Sequence, residues 1–289
     1  ATKFVVQCGF KGRPMKASEF TYERPTEISE ALAIVAQDAD EKAFLAGGQS
    51  LLPMMNFRLA APKTLIDLSG LKDLKEIVAV DDGLRIGATV TYSELGASAL
   101  VSEFSQVFDS VLPHIAHSAI RNRGTIGGSV ALADPAAEMP AVLMALGASV
   151  ELASQRGTRF VLADEFFQGL YLTDRKDDEL VLSVFIPNSS KSLSTGFYEL
   201  ARRHGDYAIA GVCISDDSRP SEAFNAPKVV LFGVSDRPLR AKSVEESLVG
   251  VARTDKRKIR GASEALSDLI FDSDLHNSQD TKRRLATVC

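Results

Sequence analysis

The sequence predicts an α+β protein: a small parallel βαβ unit, then a mixed α/β region, then an antiparallel sheet of three strands with helices. Three observations carry that reading. Residues 42–68 run strand, glycine turn, short helix, strand, the grammar of a parallel unit. Asp82 and Gly83 stand between two alternating runs, the signature of a β-hairpin. Late in the chain, GFYELARR, AIAGVCIS and KVVLFGVS alternate apolar and polar residues and predict three antiparallel strands.

Taken in order, Met15 opens a stretch, MKASEFTYERPTEISEAL, that reads as the natural beginning of a domain. Residues 1–14 ahead of it have no periodicity and are read as an extension of unknown role. In EISEALAIVAQD, Ile28, Leu32 and Val35 recur at helical spacing behind Thr26, a residue type that caps free amides. KAFLAGGQS is a short strand broken by Gly47 and Gly48; a helical turn follows, then a strand around Leu65–Leu68. From Glu76 the hairpin EIVAV and LRIGATVT takes over, and SELGASALVSEFSQVFDSVLPHIAH is helical in two pieces, broken near Pro113. RNRGTIGGSVALADPAAEMPAVLMALGASVELAS reads as a glycine-rich turn, a helix capped by Asp134 with Pro135 at its first position, and a strand. TRFVLADEFF and ELVLSVFIP complete a first half, 15–187, divided near residue 70 into parts 15–70 and 71–187. The serine-rich NSSKSLSTG marks the boundary before a second domain, 196–289, whose helices are SVEESLVG, KIRGASEALSDLI and DTKRRLATV. RRLATVC breaks off inside a helical pattern, which predicts a short or truncated last helix.

The 289 residues are 45% hydrophobic and 25% charged, an ordinary globular composition. A formal net charge of -5 offers no overall cationic field for nucleic acid or anionic lipid. No apolar run is long enough to span a bilayer as a helix. Cys8, Cys213 and Cys289 are too scattered for a disulfide framework or a metal site, and a reducing, cytoplasmic setting is expected. His114 and His117, spaced i, i+3, lack further ligands at a useful spacing. GxSxG is absent, so no nucleophile elbow is encoded.

Two glycine clusters remain, AGGQS at 46–50 and GTIGGS at 124–129. Backbone without Cβ turns with positive φ and lets its amides approach an anion, although glycine turns without a ligand are equally common. Neither cluster is GxGxxG or a P-loop. The second precedes a predicted helix start, where free amides and the positive dipole end favour a phosphate. Glu138 lies one turn along that helix, able to reach a ribose hydroxyl or simply to complement the dipole. Arg202, Arg203 and His204 precede GDYA, where Tyr207 is suited to lie against a planar ring or to sit at a solvated strand end.

AGGQSLLPMMNFRLAAPKTLIDL, IRNRGTIGGSVALADPAAEMPAVLMALGA and ARRHGDYAIAGV, in this order and spacing, resemble the flavin-binding medium subunits of the molybdenum hydroxylases over about Met15 to Leu285. The resemblance implies a two-part FAD-binding domain of the vanillyl-alcohol-oxidase (PCMH-like) type. It implies an FAD diphosphate between Ala46, Gly47, Gly48, Gln49, Ser50 and Leu51 on one side and Thr125, Gly127, Gly128 and Ser129 on the other, with Ile120 nearby. Glu138 matches the acidic residue near the ribose, Leu182 a residue packed near the flavin ring, and Tyr207 the aromatic of the GDYA loop.

The resemblance further implies no bond-making on an organic substrate in this chain. A large partner subunit would carry a molybdopterin cofactor, and a small partner two [2Fe-2S] clusters. FAD here would pass electrons to an external acceptor, in a dimer of heterotrimers. The branch with an added [4Fe-4S] cluster needs cysteines this chain lacks. An autonomous FAD oxidase of the vanillyl-alcohol-oxidase type is the alternative, and it requires a base that the sequence does not display; a subunit with a decayed flavin site is a third, opposed by the intact glycines.

Overall fold

A computed structural model describes residues 16–266 and 269–289. The extension 1–14, with Cys8, and Met15 lie outside the described residues. Three strands, Thr21–Glu23, Lys42–Leu45 and Thr64–Asp67, form a parallel sheet with the last in the middle. Helix Ile28–Val35 crosses from the first strand and helix Leu51–Asn56 links the second to the third. The βαβ expectation holds, with Thr21–Glu23 as an added edge. Thr26 does not cap its helix, which begins after Glu27. Instead the Thr26 amide donates to the Glu30 carboxylate, so the acid one turn on supplies the acceptor.

The mixed region is built on a five-stranded antiparallel sheet, ordered Ile77–Val80, Gly83–Gly87, Leu180–Pro187, Ser149–Ser154, Gly157–Leu162. The hairpin turns over Asp81 and Asp82, with Val80 opposite Gly83. The helical stretch after it is in three pieces, Tyr92–Ala97, Ala99–Phe104 and Val107–Val111, because Ser98 and Ser105 take extended backbone.

Helix Glu138–Leu146 occupies the centre of the molecule. EMPAVLMAL has no polar face after its first residue, and all nine positions are buried, as a helix apolar all round requires. It lies between the five-stranded sheet and the C-terminal sheet. Ser190 and Ser215 hydroxyls donate to the carbonyls of Leu146 and Ala145 at its end, at 2.9 and 2.6 Å.

The C-terminal sheet is antiparallel, Ser194–Ala201, Ala208–Asp216, Lys228–Phe232 and Leu239–Arg240. The three expected strands are present. The fourth, two residues long at the edge, is too short to leave a period in the sequence. In Lys228–Phe232, Val230 and Phe232 face the central core, whereas Val229 and Leu231 pack against the helical side. Helices Lys242–Leu248 and Gln279–Val288 stand where the sequence predicts helices, whereas Lys256–Ser263 covers only the first part of the expected KIRGASEALSDLI, and residues 265, 266, 269 and 270 are not helical.

Candidate functional site

A cleft of about 770 Å³ opens between the parallel unit, the mixed region and the 205–207 loop. Its wall contains Ala46, Gly47, Gly48, Gln49, Ser50, Leu51, Ile120, Thr125, Gly127, Gly128, Ser129, Glu138 and Tyr207. Leu182 does not line it: the side chain is buried in the core shared by the first two units, and the Leu182 carbonyl accepts the Ala88 amide at 2.9 Å. Leu180 and Val181, on the same strand, reach the cleft instead.

The two glycine segments touch. A Cβ on Gly47 would stand 2.0 Å from the Arg123 carbonyl oxygen, so the first bend reaches the second only because that atom is missing. Gly48 has φ +71°, a left-handed conformation that glycine takes without strain. From Gly47 to Leu51, five consecutive amides find no acceptor among the described residues. They run into the start of the helix Leu51–Asn56, a concavity of donors suited to an anion.

The second segment is built differently. It is itself helical, Ile126–Leu132, with the Thr125 hydroxyl capping it by accepting the Gly128 amide at 3.1 Å. Ile126 and Gly127 donate to the carbonyls of Val90 and Ala88, both at 3.0 Å, and Ser129 donates to Thr125. Every one of these amides is used. Gly127 is a packing glycine, since a Cβ there would lie 2.4 Å from that of Ala88. Gly128 points the other way: its Cβ would meet only the Thr125 hydroxyl at 2.8 Å and the Ala46 methyl at 3.7 Å, across the gap between the segments.

The expected capping of the next helix by Asp134 is not observed. Ala133 adopts a left-handed conformation, and the Asp134 carboxylate accepts the Ala136 amide at 2.9 Å in a local turn. The helix begins only at Glu138, behind Ala137. Glu138 therefore sits in the first turn rather than one turn on, where its charge would complement the dipole. Burial foremost pushes its carboxyl up to about 8, against the opposing pull of a backbone amide, with Glu199 and Asp134 adding to the rise.

Lys42 and Arg175 reach the cleft wall, but both are spent on carbonyls. Lys42 donates to Ile34 and Gln37, and Arg175 to Lys176, Asp177 and Glu179. An anion here would be met by neutral amides rather than a free cation. Tyr207 stands at the cleft edge, 66% exposed, within the field of Asp134 and Tyr171. Arg202, Arg203 and His204 are exposed and do not line the cleft. His117 lines it, whereas His114 turns away to the Glu199 carboxylate, so the pair does not converge on one point.

Sequence reasoning missed Ala88 and Tyr92, which strap the second segment in place, and Tyr171 at a hairpin tip. Tyr171 has φ +53°, for which no sequence signal exists. Glu199 had one: an acid two positions after Phe197, on the same inward side of an alternating strand.

Residues 18–189 match the family described as FAD binding domain in molybdopterin dehydrogenase, and residues 196–289 the CO dehydrogenase flavoprotein C-terminal domain. The chain is 36% identical to the nicotine 6-hydroxylase medium subunit of Paenarthrobacter nicotinovorans, over 94% of each chain. It is also 36% identical to the caffeine dehydrogenase subunit beta of Pseudomonas sp. (strain CBB1), over 82% of this chain and 80% of that one. Quinoline 2-oxidoreductase from Pseudomonas putida 86 superimposes with a TM-score of 0.89 at 36% identity, covering 94% of each chain. The carbon monoxide dehydrogenase structure from Hydrogenophaga pseudoflava gives 0.88 at 32%, again over 94% of each. Matched over both regions, the chain belongs to the FAD-binding medium subunits of the molybdenum hydroxylases.

Proposed function

We propose that this cleft holds one FAD and that the chain carries electrons within a molybdenum hydroxylase. The observation that supports it most is the run of unpaired amides from Gly47 to Leu51, facing Gly128 across a gap that a side chain would fill. These donors would hold the diphosphate, with the Ser50 and Ser129 hydroxyls beside them. Ala46, Gln49 and Ile120 would shape the walls, and Thr125 and Gly127 would fix the position of the Gly128 face. Glu138 would meet a hydroxyl of the ribose or ribityl chain, and Tyr207 would cover the ring and keep water from one side. Leu182 would act only from the core, behind Val181.

Bound FAD supplies two-electron and one-electron redox chemistry of its own. The chain's residues would bind it, orient it and tune it by hydrogen bonds. Among the residues that line the cleft, no serine or threonine hydroxyl donates to a carboxylate or an imidazole, and we carry the relay forward over the autonomous oxidase.

The relatives suggest the setting. One is a medium subunit, and a solved one is a carbon monoxide dehydrogenase described as lacking the Mo-pyranopterin moiety of the molybdenum cofactor. On this reading a large partner carries the molybdopterin cofactor, a small partner carries two [2Fe-2S] clusters, and electrons leave through FAD to an external acceptor. A dimer of heterotrimers in the cytoplasm is part of the same proposal, as is the division into domains 15–187 and 196–289. The test is to express the chain with its partners, release the cofactor from the pure complex and identify it. FAD at one per chain is expected; FMN or no flavin defeats the reading.

A further inference from the structure

Strand Ser194–Ala201 runs into the turn that carries Tyr207, and it does so through an irregularity. Its register against Ala208–Asp216 slips between Leu200 and Ala201, and such a slip re-aims the chain that follows. The Asp206 amide closes the turn on the Arg203 carbonyl at 3.1 Å. That bond shapes the turn, but neighbours must place it on the molecule.

Two contacts with the 114–116 segment do so. Gly205 has φ +83° and lies so close that a Cβ would stand 2.8 Å from the Ala116 carbonyl oxygen. The His204 ring stands edge-on to His114, with centroids 5.4 Å apart. Ala116 is itself left-handed, φ +45°, and Arg121 Nη1 donates to the carbonyls of Ile115 and Ala116 at 2.9 and 2.8 Å. A residue with a Cβ keeps such a conformation only where its surroundings enforce it. Ile115, Ala116, Gly205, Asp206 and Tyr207 all line the cleft, so the seam between the two segments is part of its wall.

Behind the seam, His114 Nδ1 lies 3.2 Å from Oε1 of Glu199, whose side chain is only 2% exposed. Oε2 is buried and has no hydrogen-bond partner among the described residues. A buried carboxylate is unfavourable without a donor, and an imidazole with its proton on Nδ1 is one. Phe197, on the same side of the strand as Glu199, stands edge-on to the His114 ring at 5.2 Å and stacks on Phe232 in the central core. The imidazole is thus tied to the core by Glu199 and Phe197 and meets the turn through His204.

Resting on the reading of the cleft as an FAD site, we propose that Glu199 and His114 are positioning residues: the buried carboxylate holds the imidazole, the imidazole and Ala116 seat the 203–206 turn, and the turn keeps Tyr207 against the flavin ring. Neither Glu199 nor His114 lines the cleft, so their effect reaches the flavin through Tyr207. Tyr207 is largely exposed, and its place depends on the turn more than on its own packing.

The chain has five tyrosines. Fluorotyrosine incorporated into the full-length, flavin-free chain gives each a fluorine resonance, and that of Tyr207 is identified by its loss in Tyr207→Phe. Tyr198, on the outward side of the same strand, is the internal control. His114→Phe combined with Glu199→Leu removes the tie without leaving an unpaired buried charge. The Tyr207 signal is expected to move and broaden while that of Tyr198 stays. His114→Asn is milder: it keeps a donor for Glu199 but removes the ring that His204 meets, and should displace the Tyr207 signal less. Glu199→Gln still accepts from Nδ1 and should keep the wild-type spectrum. An unmoved Tyr207 signal in either His114 variant, equal movement of Tyr198, or a Glu199→Gln spectrum matching the double variant overturns the proposal.

With FAD bound, iodide quenching of flavin fluorescence should rise in the double variant toward the level of Tyr207→Ala. Added to Tyr207→Ala, the same two changes should have no further effect; additive quenching would mean that they act by another route and overturns the proposal. Fluorine signals that move as expected in a chain that takes no FAD defeat the cleft reading and the flavin role with it. Unmoved signals in a chain that does bind FAD defeat the tie alone.

Discussion

The two glycine segments have similar composition and opposite bonding. From Gly47 to Leu51 the amides find no acceptor among the described residues and the backbone turns left-handed at Gly48; in 124–129 each amide from Ile126 to Ser129 has an internal acceptor. One segment offers donors to a ligand, and the other is a scaffold whose glycines let it lie flat against Ala88 and face the first across a gap. Glycine content marks close approach of backbone to something, and only the neighbours decide whether that something is protein or ligand.

Substitutions should separate these roles. The largest effect is expected from Gly47→Ala, whose Cβ would overlap backbone of the second segment at 2.0 Å. A stability loss of about 3 kcal/mol or more, with loss of FAD, should appear in denaturant unfolding and cofactor analysis. Gly127→Ala meets Ala88 at 2.4 Å and should destabilise by about 2 kcal/mol. The folded fraction should still retain FAD, because this glycine serves packing; selective loss of flavin from folded protein would erase the distinction drawn here.

Gly128→Val should do the reverse. It disturbs the Thr125 cap by about 1 kcal/mol but fills the gap facing Ala46, so melting changes little while flavin retention is abolished. Full occupancy in that variant would show the gap is not the diphosphate site. The smallest structural effect belongs to Tyr207→Ala, a 66% exposed residue whose removal should alter stability by no more than about 0.5 kcal/mol. The flavin potential or reduction rate should shift more than FAD occupancy does. Parallel large losses of both would make Tyr207 structural.

Much of the architecture was legible because its signals are local. The alternation in GFYELARR, AIAGVCIS and KVVLFGVS requires only that each strand bury one side, and the structure contains those strands. The parallel unit around residues 42–68 announced itself by its order of elements. Expectations failed where two local solutions compete. Asp134 is chemically able to cap a helix and does not, because Ala133 turns left-handed and Asp134 satisfies Ala136 instead. Thr26 does not cap either: no side chain caps that helix, and the amide of Thr26 itself donates to Glu30. Leu182 was placed by analogy with a residue near the ring, but its neighbour Val181 reaches the cleft.

From its residues alone, this chain determined its periodicities, its apolar central helix and the places where backbone must pass close to backbone. Those properties depend on side-chain volume and polarity, which each residue carries wherever it goes. Which amides remain free to receive a ligand, and which partner a buried acid such as Glu199 finds, were decided only in three dimensions. A hydrogen bond is exclusive and a field depends on distance, and both are set by partners far away in sequence: Val90 for Ile126, His114 for Glu199.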